Sequence, residues 1–445
     1  MNTPVCDFIE EYAKKATVRL HMPGHKGNGG IERQDITEID GADSLYEAVG
    51  ILAESEKNAG ALFGSHAFYS AEGSSLAIRA MLYLCLLYAR ENGRALRVAA
   101  GRNAHKVFVS GAALLGLDVD WLTSKTNSYL SCPLCANDVA CYLDEVEEKP
   151  VAVYITSPDY LGNMVDVKGI ARVCHERDVL LLVDNAHGAY LKFLSTSRHP
   201  MDQGADMCAD SAHKTLHALT GAAYLHVSRR APAVLHKRAK DALALFGSTS
   251  PSYLILASLD RLNVGLAEGY CACLAALVTR ISRLKEQLRD AGFSLVGDEP
   301  LKVTVAPKSY GYTGKELAGY LMDNNFTPEF YDPDFLVLML SDDIERAAIE
   351  KLVAVMTALP KRSAISNGLT CFGMPERVLK PIEAMTSAAE RVPVEKALGR
   401  VLAGVTVGCP PAVPIAVSGE RIDERIIQAF LYYGIESCLV VKEEK

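Results

Sequence analysis

The chain has no concentrated positive stripe. Its 46 Lys and Arg are spread through 445 residues against 54 Asp and Glu, for a net charge of −8. A nucleic-acid groove needs clustered basic side chains, so no nucleic-acid partner is expected. The mild acidic excess agrees with a cationic small molecule. A long apolar run is missing too. The longest, Met81 to Ala89, is half or less of the roughly 20 residues a membrane-spanning helix needs, and it reads as a buried helix. The N-terminal stretch MNTPVCDFIEEYAKK carries no charged start followed by an apolar run, so neither a signal peptide nor a membrane partner is expected. Twelve cysteines are scattered without a regular framework, as suits free thiols in a reducing cytoplasm. The one close pair, Cys132 and Cys135, has no second pair at a ribbon-like distance, so no metal site is expected. Repeats and low-complexity tracts are absent.

What is present points to an α/β enzyme of several domains. Residues 1–60 read as an irregular N-terminal segment, because glycines and a proline crowd His21-Met-Pro-Gly-His-Lys-Gly-Asn-Gly-Gly30. Residues 61–250 read as a large domain. Val151 to Ile155 and Val179 to Val183 are unalternating apolar runs, as strands buried on both faces of a parallel sheet require. A helical pattern from Val167 to Arg177 joins them as a βαβ crossover, giving a doubly wound, mostly parallel sheet. Residues 251–360 read as a smaller α/β domain that opens with one long helical pattern, Tyr253 to Ala291. Residues 361–445 form a C-terminal domain after a linker at Pro360 to Leu369.

Two motifs about thirty residues apart carry the chemistry. Val183-Asp184-Asn-Ala-His187-Gly188 ends a buried strand, and in open α/β sheets ligands sit outside the carboxyl ends of strands. In Asp210-Ser211-Ala212-His213-Lys214-Thr215, a lysine follows small and polar residues that can present it into a cleft for Schiff-base formation. Pyridoxal 5′-phosphate (PLP) needs an amine for its aldehyde and an anion for its ring nitrogen. Lys214 and Asp184 fit those two roles. Read singly, a surface lysine and a turn aspartate are the simpler reading; the pair, with the strand before it, favours the cofactor. Its phosphate needs backbone N–H groups at a helix start, and Gly73-Ser74-Ser75 precedes an apolar helix, although the same triplet is an ordinary helix cap. Ser211 adds a hydroxyl, and His105, just after a short strand, is a candidate to stack on the ring.

Taken together, these segments resemble the Orn/Lys/Arg decarboxylase family of fold-type-I PLP enzymes. The matching pieces are His21-Met-Pro-Gly-His-Lys-Gly27, Asp35-Ile-Thr-Glu38 with Asp43-Ser-Leu45, Gly73-Ser-Ser75, Arg102-Asn-Ala-His-Lys106, Asp184-Asn-Ala-His-Gly188, Ser211-Ala-His-Lys214, Ser250-Pro-Ser-Tyr253 with Ala257-Ser-Leu-Asp260, and Pro410-Pro-Ala-Val-Pro414 with Gly419-Glu420. They follow the family's order and span nearly the whole chain. The resemblance implies that Lys214 is the Schiff-base lysine, Asp184 the partner of the pyridine nitrogen and His105 the stacking group. It further implies that Ser74, Ser75 and Ser211 bind phosphate, with His187 in the cofactor site and His213 beside the lysine. Thr249 and Ser250 would reach the phosphate of a neighbouring subunit, so at least a homodimer is implied. The chain begins at the His-Met-Pro-Gly-His segment, like short members without an N-terminal wing domain, and a decamer is not expected.

The implied reaction is α-decarboxylation of arginine, lysine or ornithine, giving CO2 and a diamine or polyamine precursor. His213 or Lys214 would return a proton to Cα. Glu420, Asp43 and Asp159 are candidate contacts for a distal substrate cation. Two departures from the family stand out: Asn185 occupies a position usually held by Glu, and Glu72 precedes the phosphate segment, where a carboxylate repels phosphate unless it points away. Two other readings stay open, an aminotransferase or lyase on the same scaffold and a non-catalytic protein that kept the fold.

Overall fold

Continuous apolar runs become strands buried on both faces, and in the computed structural model they form the middle of a seven-stranded, mostly parallel sheet. The structure describes residues 1–15, 17–124, 128–369, 373–409 and 413–443. The sheet strands are β1 (His66–Ser70), β2 (Arg97–Gly101), β3 (Asp118–Leu122), β4 (Ala152–Thr156), β5 (Leu180–Asp184), β6 (Met207–Asp210) and β7 (Ala223–Val227). Their order is β1-β7-β6-β5-β4-β2-β3. The pairs β4–β5 and β5–β6 are parallel, and β7 runs antiparallel to both β6 and β1. The expected crossover is the helix Val167–Glu176, started by Asp166, whose carboxylate accepts from Gly169 N–H at 2.9 Å. β1, β6 and β7 carry His66 and Ser70, Asp210, and His226 respectively, which breaks the continuous apolar run that marks a strand buried on both faces.

The chain forms two compact units. The first comprises residues 1–98, 139–157 and 166–274; the second comprises 99–138, 158–165 and 275–445. In the second, β8 (Ser294–Val296), β9 (Lys302–Ala306), β10 (Phe330–Tyr331) and β11 (Leu336–Met339) make an antiparallel sheet in the order β10-β11-β9-β8. A core that includes Leu130, Val337, Ile415, Ile426, Phe430 and Val440 draws together distant parts of that unit.

Two sequence expectations need correction. Residues 1–60 are not wholly irregular: they contain helices α1 (Pro4–Lys14) and α2 (Ile51–Phe63). α2 buries Leu52, Ser55, Glu56, Ala59, Gly60 and Phe63 at helical spacing, but small and polar residues on that stripe conceal its period. Gly60 is needed there because a Cβ would stand 2.8 Å from the Ser65 carbonyl oxygen. The second correction is that Tyr253 to Ala291 is two helices, α3 (Tyr253–Ala267) and α4 (Tyr270–Asp290). The break falls at Gly269, whose φ of +87° suits a residue without a side chain. Among the described residues, no single helix is long and apolar enough to cross a membrane.

The N-terminal helices are anchored by one carboxylate. Asp260 on α3 is fully buried, and its Oδ2 accepts from Val5 N–H at 2.9 Å and Cys6 N–H at 3.0 Å, in the first turn of α1. Ser55 of α2 donates to its other oxygen. A carboxylate at a helix start satisfies amides that have no intrahelical partner. Asp260→Ala should therefore lower unfolding free energy by about 2–4 kcal/mol, read by denaturant titration, because it orphans several buried donors at once.

Candidate active site

Asp184 is the last residue of β5, and only 3% of it is exposed. Its Oδ1 accepts from Ala186 N–H at 3.2 Å and its Oδ2 from the Tyr154 hydroxyl at 3.1 Å. Tyr154, on the neighbouring strand β4, is wholly buried. Burial and the adjacent Asp184 charge push its phenol well above the usual tyrosine range, so it stays a neutral donor. Three residues after Asp184, His187 is buried and its Nε2 lies 3.0 Å from Lys214 Nζ. Lys214 sits on the single helical turn Ala212–Thr215 that follows β6. Parallel pairing of β5 with β6 thus places an anion and an amine at the same end of the sheet, linked through His187. His213 holds to the Ala222 carbonyl, with Nδ1 at 2.9 Å and its backbone N–H at 3.2 Å.

The phosphate segment opens the 19-residue helix Gly73–Glu91. Gly73 has φ +72°, and a Cβ there would meet nothing within 4 Å, so the approach to the helix start is open. Ser211 donates to Ser74 Oγ at 2.9 Å, which brings the hydroxyl before Lys214 onto this helix start; Ser75 follows, half-buried. Backbone N–H groups and the helix dipole favour an anion in such a place. The Glu72 carboxylate is exposed and accepts from Ser248 N–H at 2.6 Å, which accounts for a negative charge so near the cradle. Thr249 and Ser250 are exposed in the segment before α3. Thr156, opposite Asp184 in the strand register, and Thr215, beside Lys214, each hold a buried hydroxyl oxygen with no protein partner. Buried polar atoms are normally satisfied, so these two fit a polar group seated between the strand ends. An amine, a buried anion and a serine-lined helix start are together the donor set PLP requires.

His105 belongs to the second unit, where it caps the helix Lys106–Leu114, its Nδ1 accepting from Val107 N–H at 3.2 Å. The three carboxylates considered for a substrate cation all have donors within their own units. Asp43 accepts from the backbone N–H groups of Gly50 and Leu52, both at 2.8 Å, at the start of α2. Asp159, raised in pKa by burial, closes its own loop through the backbone and side-chain N–H groups of Asn163, each at 2.8 Å. Glu420 is buried and pairs with Arg102 at 2.8 Å while accepting from Val417 N–H at 2.8 Å. These contacts give each carboxylate protein donors of its own. Pro410, Pro411 and Ala412 lie outside the described residues; Val413 opens the strand that follows.

Sequence reasoning missed Tyr154, Arg102 and Asp210. The signal for Tyr154 was a phenol inside a strand otherwise apolar and buried, where its O–H needs a partner. Tyr154→Phe removes only that donor from Asp184. It should weaken PLP retention by about tenfold, measured by absorbance titration, the size of loss usual when a supporting contact to a ligand-binding residue is removed.

The strand-end geometry and its donor set define the class: an α/β enzyme of the fold-type-I, PLP-dependent kind. Residues 3–295 match the family model described as Orn/Lys/Arg decarboxylase, major domain, and residues 369–437 match Orn/Lys/Arg decarboxylase, C-terminal domain. The chain belongs to the Orn/Lys/Arg decarboxylase family, and is a PLP-dependent decarboxylase of that family. An arginine decarboxylase of Halalkalibacterium halodurans is 28% identical over 95% of this chain and 91% of its own length. One from Bacillus subtilis is 26% identical over 99% and 95%. Among solved structures, the lysine decarboxylase of Francisella novicida superposes with a TM-score of 0.81 at 17% identity, covering 98% of this chain and 79% of that one. At that identity the likeness speaks to the fold.

Proposed function

We propose that this chain holds PLP on Lys214 and uses it to remove the α-carboxylate of arginine, lysine or ornithine, releasing CO2 and a diamine or polyamine precursor. The observation that carries this reading is the Lys214–His187 contact at 3.0 Å, three residues from a buried Asp184. Bound PLP supplies a sink for the electron pair left behind when the Cα–carboxylate bond breaks. Asp184 would keep the ring nitrogen protonated, with Tyr154 and the Ala186 amide holding its carboxylate in place. Gly73, Ser74, Ser75 and Ser211 would bind the phosphate, and His105 would stack on the ring. His213, its Nδ1–H donated to the Ala222 carbonyl, would return a proton to Cα from Nε2 once the ring has taken one up there, a task Lys214 could share. Arginine is the first substrate to test, because relatives from Halalkalibacterium halodurans and Bacillus subtilis that match nearly the whole chain bear that name.

A homodimer belongs to the same proposal. Thr249 and Ser250 are exposed and would complete the phosphate site of a second copy. Leu20 and Val49 in the N-terminal segment are each 92% exposed, which is apolar surface a second copy would cover. The ten cysteines described are all free thiols, which supports work in a reducing cytoplasm.

The test is the visible spectrum of purified protein with added PLP, then CO2 release from L-arginine, L-lysine and L-ornithine, beside Lys214→Ala. A cofactor band that disappears in Lys214→Ala, with CO2 from one substrate, is the expected result. A band with no CO2 from any of the three overturns the substrate claim, and no band at all overturns the cofactor claim. Light scattering should give twice the monomer mass, and Leu20→Glu with Val49→Glu should shift the protein towards monomer and weaken its hold on PLP.

A further inference from the structure

We propose that Asn185 and Asp210 are a positioning pair that fixes Lys214 relative to Asp184, with Asn185 required as a neutral donor to a charged Asp210. Asp210 is the last residue of β6 and is fully buried. Its Oδ1 accepts from Asn185 Nδ2 at 2.7 Å and its Oδ2 from His199 Nε2 at 2.8 Å. His226 Nε2 stands 3.3 Å from that second oxygen without hydrogen-bonding it, and the Cys208 thiol is 3.8 Å from Oδ1. Both histidine side chains are wholly buried. His199 Nδ1 accepts from Met201 N–H at 3.3 Å, so its Nε2 carries the proton and donates to Asp210 rather than offering a lone pair to a cation. Burial works against the charge on Asp210, but the two histidines outweigh it and hold the carboxyl well below the usual range. Asp210 is therefore a buried anion that the sheet has built donors around.

The pair's place in the chain gives it its role. Asn185 directly follows Asp184, and Asp210 directly precedes Ser211 and stands four residues before Lys214. Asn185 N–H also donates to the Ala209 carbonyl at 3.0 Å, so a main-chain bond and a side-chain bond join the two strand ends at one level. The turn closes on this side chain: a Cβ on Gly188 would collide with Asn185 Oδ1. A carboxylate at 185 would set two like charges within hydrogen-bond distance where water cannot screen them. That is the physical reason for the departure at this position, and it makes the identities of 185 and 210 interdependent.

The inference rests on Lys214 and Asp184 being the cofactor residues, and the experiment separates the two ideas. PLP affinity and denaturant unfolding of the apo-protein are measured for the natural chain, Asn185→Asp, Asp210→Asn and the exchanged double variant. In the exchange, the amide now at position 210 would donate to the carboxylate now at position 185 and still accept from His199. Each single change should weaken PLP binding about tenfold, and the exchange should recover to within about threefold of the natural chain, a non-additivity that contacting residues show. Single variants that bind PLP as tightly as the natural chain, or an exchange as weak as the product of the singles, would overturn the pair. So would variants that lose only unfolding stability. Should Asn185→Asp fail to fold, Asn185→Ser, uncharged and too short to reach Asp210, should show the same loss, and undiminished affinity there would sink the proposal. If the natural chain itself binds no PLP, the cofactor reading falls. Coupling between 185 and 210 in apo-protein unfolding then still decides whether the pair exists.

Discussion

Everything at the candidate site depends on the parallel pairing of β5 with β6. Leu182, Val183 and Asp184 sit opposite Met207, Cys208 and Ala209, with every residue of both strands buried. Because successive side chains on a strand point to opposite faces, a slip of one residue would turn every group to the wrong side. Apolar burial on both faces is what holds the register. The two strands then end together, and the chain leaves each in a short turn, one carrying Asp184 to His187 and the other Ser211 to Lys214. These two segments, about thirty residues apart in sequence, are brought within bonding reach of each other.

The polar groups beneath that end of the sheet are arranged to keep charge where it is useful. Phe63 packs against His226 at 4.5 Å and His199 at 5.3 Å between ring centroids, sealing the Asp210 cluster from water. Low dielectric strengthens each hydrogen bond in that cluster and makes any orphaned donor expensive. Asp184 is treated differently. It receives two donors from the protein, a backbone amide and a phenol, and Thr156 brings an unpartnered hydroxyl to the same strand level. Asp210 takes its donors from Asn185 and His199, while Asp184 lies beside an unpartnered hydroxyl at the strand end.

The sheet was legible in the sequence because buried parallel strands and the residues leaving them have strong local signatures. Val151 to Ile155 and Val179 to Val183 became β4 and β5 nearly as read, and Lys214, Asp184, Ser74 and Ser211 came from motif position alone. Less legible were features whose cause lies across the fold. α2 hides its stripe because Ser55, Glu56 and Gly60 face inward for contacts with Asp260, Tyr69 and the Ser65 carbonyl. The break at Gly269 is one residue in a pattern otherwise helical. Tyr154 and Asp210 were invisible as a matter of partners: nothing local says that a phenol on one strand finds a carboxylate thirty residues later, or that an aspartate meets two histidines.

The three carboxylates considered for a substrate cation show how burial draws a functional reading. Asp43, Asp159 and Glu420 are all less than a tenth exposed, and a buried carboxylate in a chain of this family invites a functional reading. Each has donors of its own nearby, and Glu420 also balances Arg102, which itself lies over the Trp121 ring at 4.9 Å. Removing either partner of so buried a pair leaves an uncompensated charge, a cost of about 3–5 kcal/mol. Arginine, lysine and ornithine differ by a methylene or by the shape of a distal cation. Chain length alone is worth only about 1–3 kcal/mol in an apolar pocket. Selection among them therefore has to come from a polar group that is not already spoken for, and burial alone is the wrong criterion for finding it; an unfilled hydrogen-bonding capacity is the right one.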